Sequence, residues 1–315
     1  MLSRIANSLF WMGRYLERAQ HTARFVKVHY YSSLDAPLMM KKEFVLESIL
    51  NMTGLSVEYK KLHSGLVDEE VSKFISIEET NPFSIKNCIS NARENARGAK
   101  GLLSSELWEA INKFYHYVNN FSEKDLEIQG IAHFTENTVE NCSIVNGYID
   151  NTLLHNDTWA LIHLGMHIER AGQITRILSS KVKDLAKIEK QKLGIAVETY
   201  QCITLLKSAE AFDMSRIHYK CVPNFKNTME FLILNKEFPR SICYNINEIN
   251  KSLARLGFAK SGDKDSLEFF VGKTASAFNY LTIEEIEKSF GEFLKETLEQ
   301  IYFIGNNTEH NYLSY

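Results

Sequence analysis

The 315 residues suffice for one large domain or two average ones, and at 44% hydrophobic and 24% charged they can bury a core within an ordinary globular composition. A net charge of −3, with no block of five like charges, excludes a global attraction to nucleic acid or anionic lipid. The opening stretch MLSRIANSLFWMGR is broken by Arg4, Asn7 and Arg14, so no signal peptide is expected, and no run approaches the roughly 18 apolar residues of a membrane span.

With only 15 glycines and 4 prolines the chain has few helix breakers, and its apolar spacing is helical nearly throughout. Residues 3–30 place Ile5, Leu9, Met12, Leu16, Ala19, Ala23 and Val26 at three- and four-residue steps. Further helices are expected near 40–52, 68–77, 83–101, 105–120 and 123–150. A second series follows near 157–181, 190–212, 225–234, 240–256, 265–279 and 283–304. Pro82 and Pro239 suit helix starts, and Thr282 to Glu285 has the pattern of a capping box. Turn signals fall at Asn51–Gly54, Asn156–Asp157 and Ser261–Asp263, and a frayed tail is expected from Asn306. No sustained alternation marks a sheet. The fold class expected is all-α.

Cys88, Cys142, Cys202, Cys221 and Cys243 are odd in number and form no CxxC. They read as buried thiols of a cytoplasmic protein.

The chain repeats itself once. GRYLERAQHTAR (Gly13 to Arg24) aligns with GMHIERAGQITR (Gly165 to Arg176), pairing Gly13 with Gly165, Glu17 with Glu169, Arg18 with Arg170, Ala19 with Ala171 and Arg24 with Arg176. NPFSIKNCI and FPRSICYNI form a second pair in the same order, matching Pro82 with Pro239, Ser84 with Ser241, Ile85 with Ile242 and Ile89 with Ile246. Two ordered matches predict a single helical-bundle domain over 1–315, built from two duplicated units of about 1–152 and 153–315.

At about 100° per residue Glu17 and Arg18 point too far apart to pair with each other, so each must find a partner on another element. A glycine inside a helix costs about 1 kcal/mol against alanine, a cost that a close helix crossing offsets. Glu17 and Glu169, one turn beyond their glycines, are then buried beside that crossing, and a buried carboxylate needs a cation or several donors. Arg24 and Arg176, two turns on, can bracket the same incoming group. These charges read first as an ion-pair network between the units, and second as a pocket for an anionic or amino ligand.

A second cluster lies in SNARENARGAKGLLSSELWEAIN, where Arg93 and Arg97 share a helix face and can clamp a carboxylate or phosphate. The second unit has NKSLARL there, so the Arg93-Glu94-Asn95 set occurs once. His163 and His167 have a spacing open to a metal, but they align with Trp11 and Tyr15 and read as packing rings, so neither metal nor cofactor is expected. No GxSxG, P-loop, GxGxxG or HExxH occurs.

MLSRIANSLFWMGRYLERA, NPFSI, ARENARG, SSELWEAIN, EFPRSI and LGMHIERA together resemble the alpha-E domain family of bacterial all-helical proteins, over essentially the whole chain. The family's motif residues fall on Glu17, Arg18, Arg93, Glu94, Asn95, Arg97, Glu106, Trp108, Glu169 and Arg170. The resemblance implies a component encoded beside, or fused to, circularly permuted ATP-grasp and transglutaminase-like proteins, in a system that makes or processes an amide or peptide. It assigns no catalytic role to any residue.

The leading expectation is a helical partner of an ATP-grasp-type ligase that holds or presents a carboxylate- or amine-bearing substrate, or simply docks the ligase. Arg14, Arg18, Arg93 and Arg97 are its anion contacts, with Arg170, Glu94 and Asn95 in the same binding set. Glu17 and Glu169 orient the arginines or contact an amine. One rival is an enzyme with Glu17 or Glu169 as general base, which needs a carboxyl raised by burial. The other is an interaction scaffold without a small-molecule site. No nucleic-acid or membrane partner is expected.

Overall fold

A computed structural model describes residues 1–34, 42–190, 195–257 and 263–313. Residues 40–41 of the helix expected over 40–52, 191–194 of that over 190–212, 261–262 of the turn at Ser261–Asp263 and 314–315 of the tail lie outside the described residues. The protein is all-α, with no strand among the described residues.

The first half runs through α1 (Ser3–Leu34), α2 (Lys42–Thr53), α3 (Ser56–Leu62), α4 (Asp68–Ser76), α5 (Ile85–Gly98), α6 (Ser105–Asn120) and α7 (Glu123–Thr152). The second runs through α8 (Asp157–Lys190), α9 (Ile195–Ser208), α10 (Phe212–Tyr219), α11 (Phe225–Leu234), α12 (Ile242–Leu256), α13 (Leu267–Tyr280), α14 (Ile283–Ile286) and α15 (Phe290–Thr308). Two expected helices divide. Residues 209–211 separate α9 from α10, and the apolar run after Thr282 breaks between α14 and α15.

The two long helices α1 and α8 pack on each other at the centre. α5 and α7 flank α1, and α12 and α15 flank α8. α6 lies on α5 and α7, and α13 on α12 and α15. α2 reaches over to α8, and α9 to α1. α1 is therefore enclosed on nearly every side. Leu9, Met12, Leu16, Ala19 and Ala23 are buried as the spacing requires, but so are Phe10, Phe25, Glu17, Gln20, His21 and Arg24.

The α1–α8 contact is a backbone contact. A Cβ on Gly13 would lie 2.2 Å from the Ile162 carbonyl oxygen, and one on Gly165 would lie 2.1 Å from that of Phe10. No side chain fits there, which is why both helices carry an interior glycine despite its cost.

The prolines do not occupy the first helical turn as expected. They stand just upstream, and the serines matched across the repeat cap the helices: Ser84 accepts from the Asn87 backbone N–H and Ser241 from that of Tyr244. The tail expected to fray from Asn306 instead continues α15 to Thr308 and ends in a π-helical turn, Glu309–Leu313, with Leu313 buried. Trp11 on α1 donates to Glu309 at 3.1 Å, which holds this end down. All five cysteines are free thiols. Four are buried, and Cys221 is exposed, contrary to expectation.

Gly13→Ala or Gly165→Ala is expected to cost about 3 kcal/mol by forcing α1 and α8 apart. Gly147→Ala, on an open face of α7, should instead gain about 0.5–1 kcal/mol. Urea denaturation of the three variants measures the contrast.

Candidate functional site

The glycine contact sets the geometry of the charges that follow it on each helix. One turn beyond Gly13, Glu17 faces Arg170 of α8, whose Nε and Nη2 donate to its two oxygens at 2.9 and 2.6 Å. One turn beyond Gly165, Glu169 faces Arg18 of α1, whose Nε and Nη2 donate to its two oxygens at 2.8 Å each. Each Glu-Arg dipeptide thus pairs crosswise with the other. Both pairs are bidentate, the geometry a planar guanidinium prefers.

The two carboxylates differ in their further partners. Glu169 also accepts from Arg14 Nε and Nη2 at 3.1 and 3.0 Å and from Gln173 at 2.9 Å, and Arg176 Nη2 stands 3.6 Å away. Glu17 has Arg240 at 3.6 Å beyond its bonds to Arg170. Arg14 lies over the Trp11 ring at 4.7 Å and Arg18 over Phe83 at 4.8 Å, so their outer faces are covered by aromatics. Arg24 and Arg176 do not bracket one group: Arg24 turns to Glu210, with Nε 2.9 Å from Oε1, while Arg176 donates to the Tyr302 hydroxyl.

These contacts decide the ionisation states. Burial acts to raise the Glu17 carboxyl, but Arg170, Arg240 and Arg24 outweigh it and bring it down to about 2. Burial likewise opposes the charge on Glu169, and Arg18 and Arg14 still hold it well below the usual carboxylate range. A general base needs the reverse shift, and these carboxylates are anions with every oxygen engaged. The two candidates for catalysis therefore lack the basicity that the enzyme reading requires. Burial, then Arg24, hold His21 down to about 3, and burial, then Arg170, do the same for His167.

Arg93, Glu94, Asn95 and Arg97 lie apart from this crossing, on α5. No hydrogen bond or ion pair joins them to Arg14 or Arg18 among the described residues. Arg93 and Arg97 do clamp a carboxylate, but it is the chain's own: Glu94 meets Arg93 Nη1 through Oε1 and Arg97 Nη2 through Oε2, each at 2.5 Å. Arg93 also donates to Asn112 at 3.1 Å and lies over the Trp108 and Tyr115 rings. Asn95 bonds back to the Asn91 carbonyl within its helix. His163 and His167 contact Asp150 and Asn245, and no group of three metal-ligating side chains occurs among the described residues.

The residues missed are Gln173, Arg240 and Glu210. Arg240 stands where the first block of the second repeat pair has Phe83, a mismatch inside an otherwise matched motif. Glu210 has no sequence signal, since it reaches the site from the turn between α9 and α10. A small cleft of about 20 Å³ beside Arg14, Glu169 and Arg176 has room for one water. An open groove of about 520 Å³ between α4 and α7, walled by Asp68, Glu69, Glu70, Glu123 and Glu127, contains none of the candidate residues.

The family model of Alpha-E, described as a predicted alpha-helical domain with a conserved ER motif, matches residues 1–313. The Glu-Arg pairs of the crossing, Glu17-Arg18 and Glu169-Arg170, are the two that the repeated blocks contain. Uncharacterized proteins of Mycobacterium bovis and of Mycobacterium tuberculosis are each 19% identical over 318 aligned positions, which take in 95% of this chain. The chain spans about a third, 34%, of the length of these curated relatives. No solved structure matches. No helix among the described residues is long and apolar enough to cross a membrane.

Acidification should destabilise the protein through two sets of groups. His21 and His167 have folded values below the 6.5 of an unperturbed imidazole, so the unfolded chain takes up these protons first. Stability, full above pH 6.5, should fall by about 1.4 kcal/mol per pH unit for each histidine as the pH drops towards their folded values. Glu17 and Glu169 are both lowered from 4.5, so their contribution is full above that value and is lost as the pH falls below it, towards about 2 for Glu17. Urea midpoints between pH 7.5 and 3 measure both slopes. Glu17→Gln, which strands Arg170 beside Arg240, should cost about 3–5 kcal/mol at pH 7.

Proposed function

Given that the chain belongs to the Alpha-E family, we propose that it is a non-catalytic helical accessory domain that works beside an ATP-grasp-type, amide- or peptide-forming enzyme or a transglutaminase-like protein. Its task is to dock that partner and to present a carboxylate- or amine-bearing substrate. The observation that carries the non-catalytic part is the commitment of both motif carboxylates: Glu17 and Glu169 are buried, doubly bonded to arginine and held as anions. They hold a helix crossing together and have no proton to exchange near neutral pH.

The accessory role draws on two supports. The resemblance to components that accompany ATP-grasp and transglutaminase-like proteins supplies the partner class. The relatives supply the setting, since the matched region is 34% of their length and the remainder of each is further polypeptide. An acyl-phosphate, the intermediate of ATP-grasp chemistry, gains from a partner surface that excludes water and offers arginines. The half-exposed Arg93–Glu94–Arg97 cluster, with Trp108 beside it, supplies such a surface. The reading includes a cytoplasmic setting, in keeping with five free thiols. It also includes an origin by duplication of units near 1–152 and 153–315, which the matched surroundings of α1 and α8 support.

A scaffold with no small-molecule site is the second reading. It is favoured by the self-filled clamp, in which Glu94 takes the place an incoming carboxylate would need.

Affinity purification of the tagged protein at native level and low salt, read by mass spectrometry, tests the proposal. A stoichiometric ATP-grasp or transglutaminase-like protein should co-elute, and Arg93→Glu should abolish that co-elution while leaving helicity intact. A protein that elutes alone from both preparations overturns the partnership.

A further inference from the structure

Beside the crosswise pairs, the network around Glu17 is left open. Arg24 is only 2% exposed, yet its Nη1 and Nη2 bond to nothing among the described residues, and its Nε faces Glu210 Oε1 at 2.9 Å out of line for a hydrogen bond. His21, one turn before it and equally buried, has neither ring nitrogen bonded. Arg240 sends Nη2 to Glu210 Oε2 at 2.9 Å, while its buried Nη1, 3.6 Å from Glu17, makes no hydrogen bond. Buried polar groups are ordinarily satisfied, and six nitrogens without a hydrogen bond in one place need a reason.

Charge supplies one. Around this point the guanidiniums of Arg24, Arg170 and Arg240 face two carboxylates, Glu17 and Glu210. Arg240 feels the imbalance: burial, then Arg24 and Arg170, work against its charge. A water molecule can accept from unbonded N–H groups but leaves the excess charge uncompensated. An oxyanion answers both needs, and one with three or four oxygens can meet several converging donors at once.

Glu210 sits where such a ligand would enter. Its side chain is about half exposed at 47%, whereas that of Arg24 is 3% exposed. Its backbone is in the left-handed region at φ 52°, which is uncommon for a residue with a long side chain. Bridging Arg24 and Arg240, its carboxylate fills in part the place of an external anion.

We propose that Arg24, Arg240 and His21 form a buried site for a phosphate-type oxyanion, whose entrance is guarded by the carboxylate of Glu210 as an internal competitor. The site is distinct from the clamp on α5 and does not depend on the proposed partnership.

Phosphorus-31 NMR and calorimetric titration of the full chain with inorganic phosphate, at ionic strength held constant with chloride, test this. Wild-type protein should bind phosphate saturably. Glu210→Gln, which removes the competitor, should tighten binding by about tenfold, and Arg24→Met should weaken it at least as much. Lys295→Gln, at an exposed position on α15, should leave it unchanged. The proposal is overturned if neither wild type nor Glu210→Gln binds phosphate beyond chloride, as it would be if water alone satisfied these groups. It is also overturned if Arg24→Met retains helicity by circular dichroism and binds as before. Should Arg24→Met fail to fold, Glu210→Gln decides: tighter binding upholds the site, and unchanged or weaker binding rejects it.

Discussion

Two helices that touch through their backbones organise this protein. Gly13 lies on the Ile162 carbonyl and Gly165 on that of Phe10, leaving no space for a Cβ at either position. Helices this close cannot slide, because any shift drives a side chain into a carbonyl. The contact therefore fixes which residues face each other one turn further on, where Glu17 meets Arg170 and Arg18 meets Glu169. Two buried carboxylates and two largely buried guanidiniums meet there, at a desolvation cost that attraction offsets only when the geometry is good. Bidentate pairing meets that condition, and it does so in a single register. Glycine and charge thus work as one device, the first setting the distance and the second the alignment.

The helices that flank this crossing pack in matched pairs. α5 and α7 stand to α1 as α12 and α15 stand to α8, while α2 and α9 each cross to the opposite long helix. The correspondence fails in the side chains that surround the carboxylates. Arg14 reinforces Glu169, but the residue aligned with it, next after Gly165, is Met166. Phe83 covers Arg18, whereas Arg240, its counterpart, adds a cation beside Glu17. One end of the crossing is consequently closed and aromatic. The other has buried guanidinium and imidazole nitrogens without a hydrogen bond and a half-exposed glutamate at its edge. A framework common to both halves supports two unlike environments.

The protonation states follow from the same arrangement. Buried carboxylates without partners would be weak acids and useful bases, but arginine partners reverse the effect of burial for Glu17 and Glu169. Histidines at the same depth are kept neutral by burial and by those arginines. Motif residues that resemble acid–base machinery in a linear sequence are here the fasteners of a helix pair.

The all-α class, most helix positions, the role of the interior glycines and the need for Glu17 and Arg18 to seek separate partners were legible in the sequence. Each rests on local periodicity or on the angular step of a helix, which a linear chain records. Ser84 and Ser241 were visible as matched residues, though not as caps, because capping depends on the backbone entering the helix. What filled the clamp of Arg93 and Arg97 required side-chain conformations, since Glu94 was as free by sequence to face solvent. The division of six arginines among Glu17, Glu169 and Glu210 was decided only by tertiary packing. Arg240 and Glu210 arrive from segments far along the chain, and the charge balance at a buried point is a sum over whatever the fold brings there.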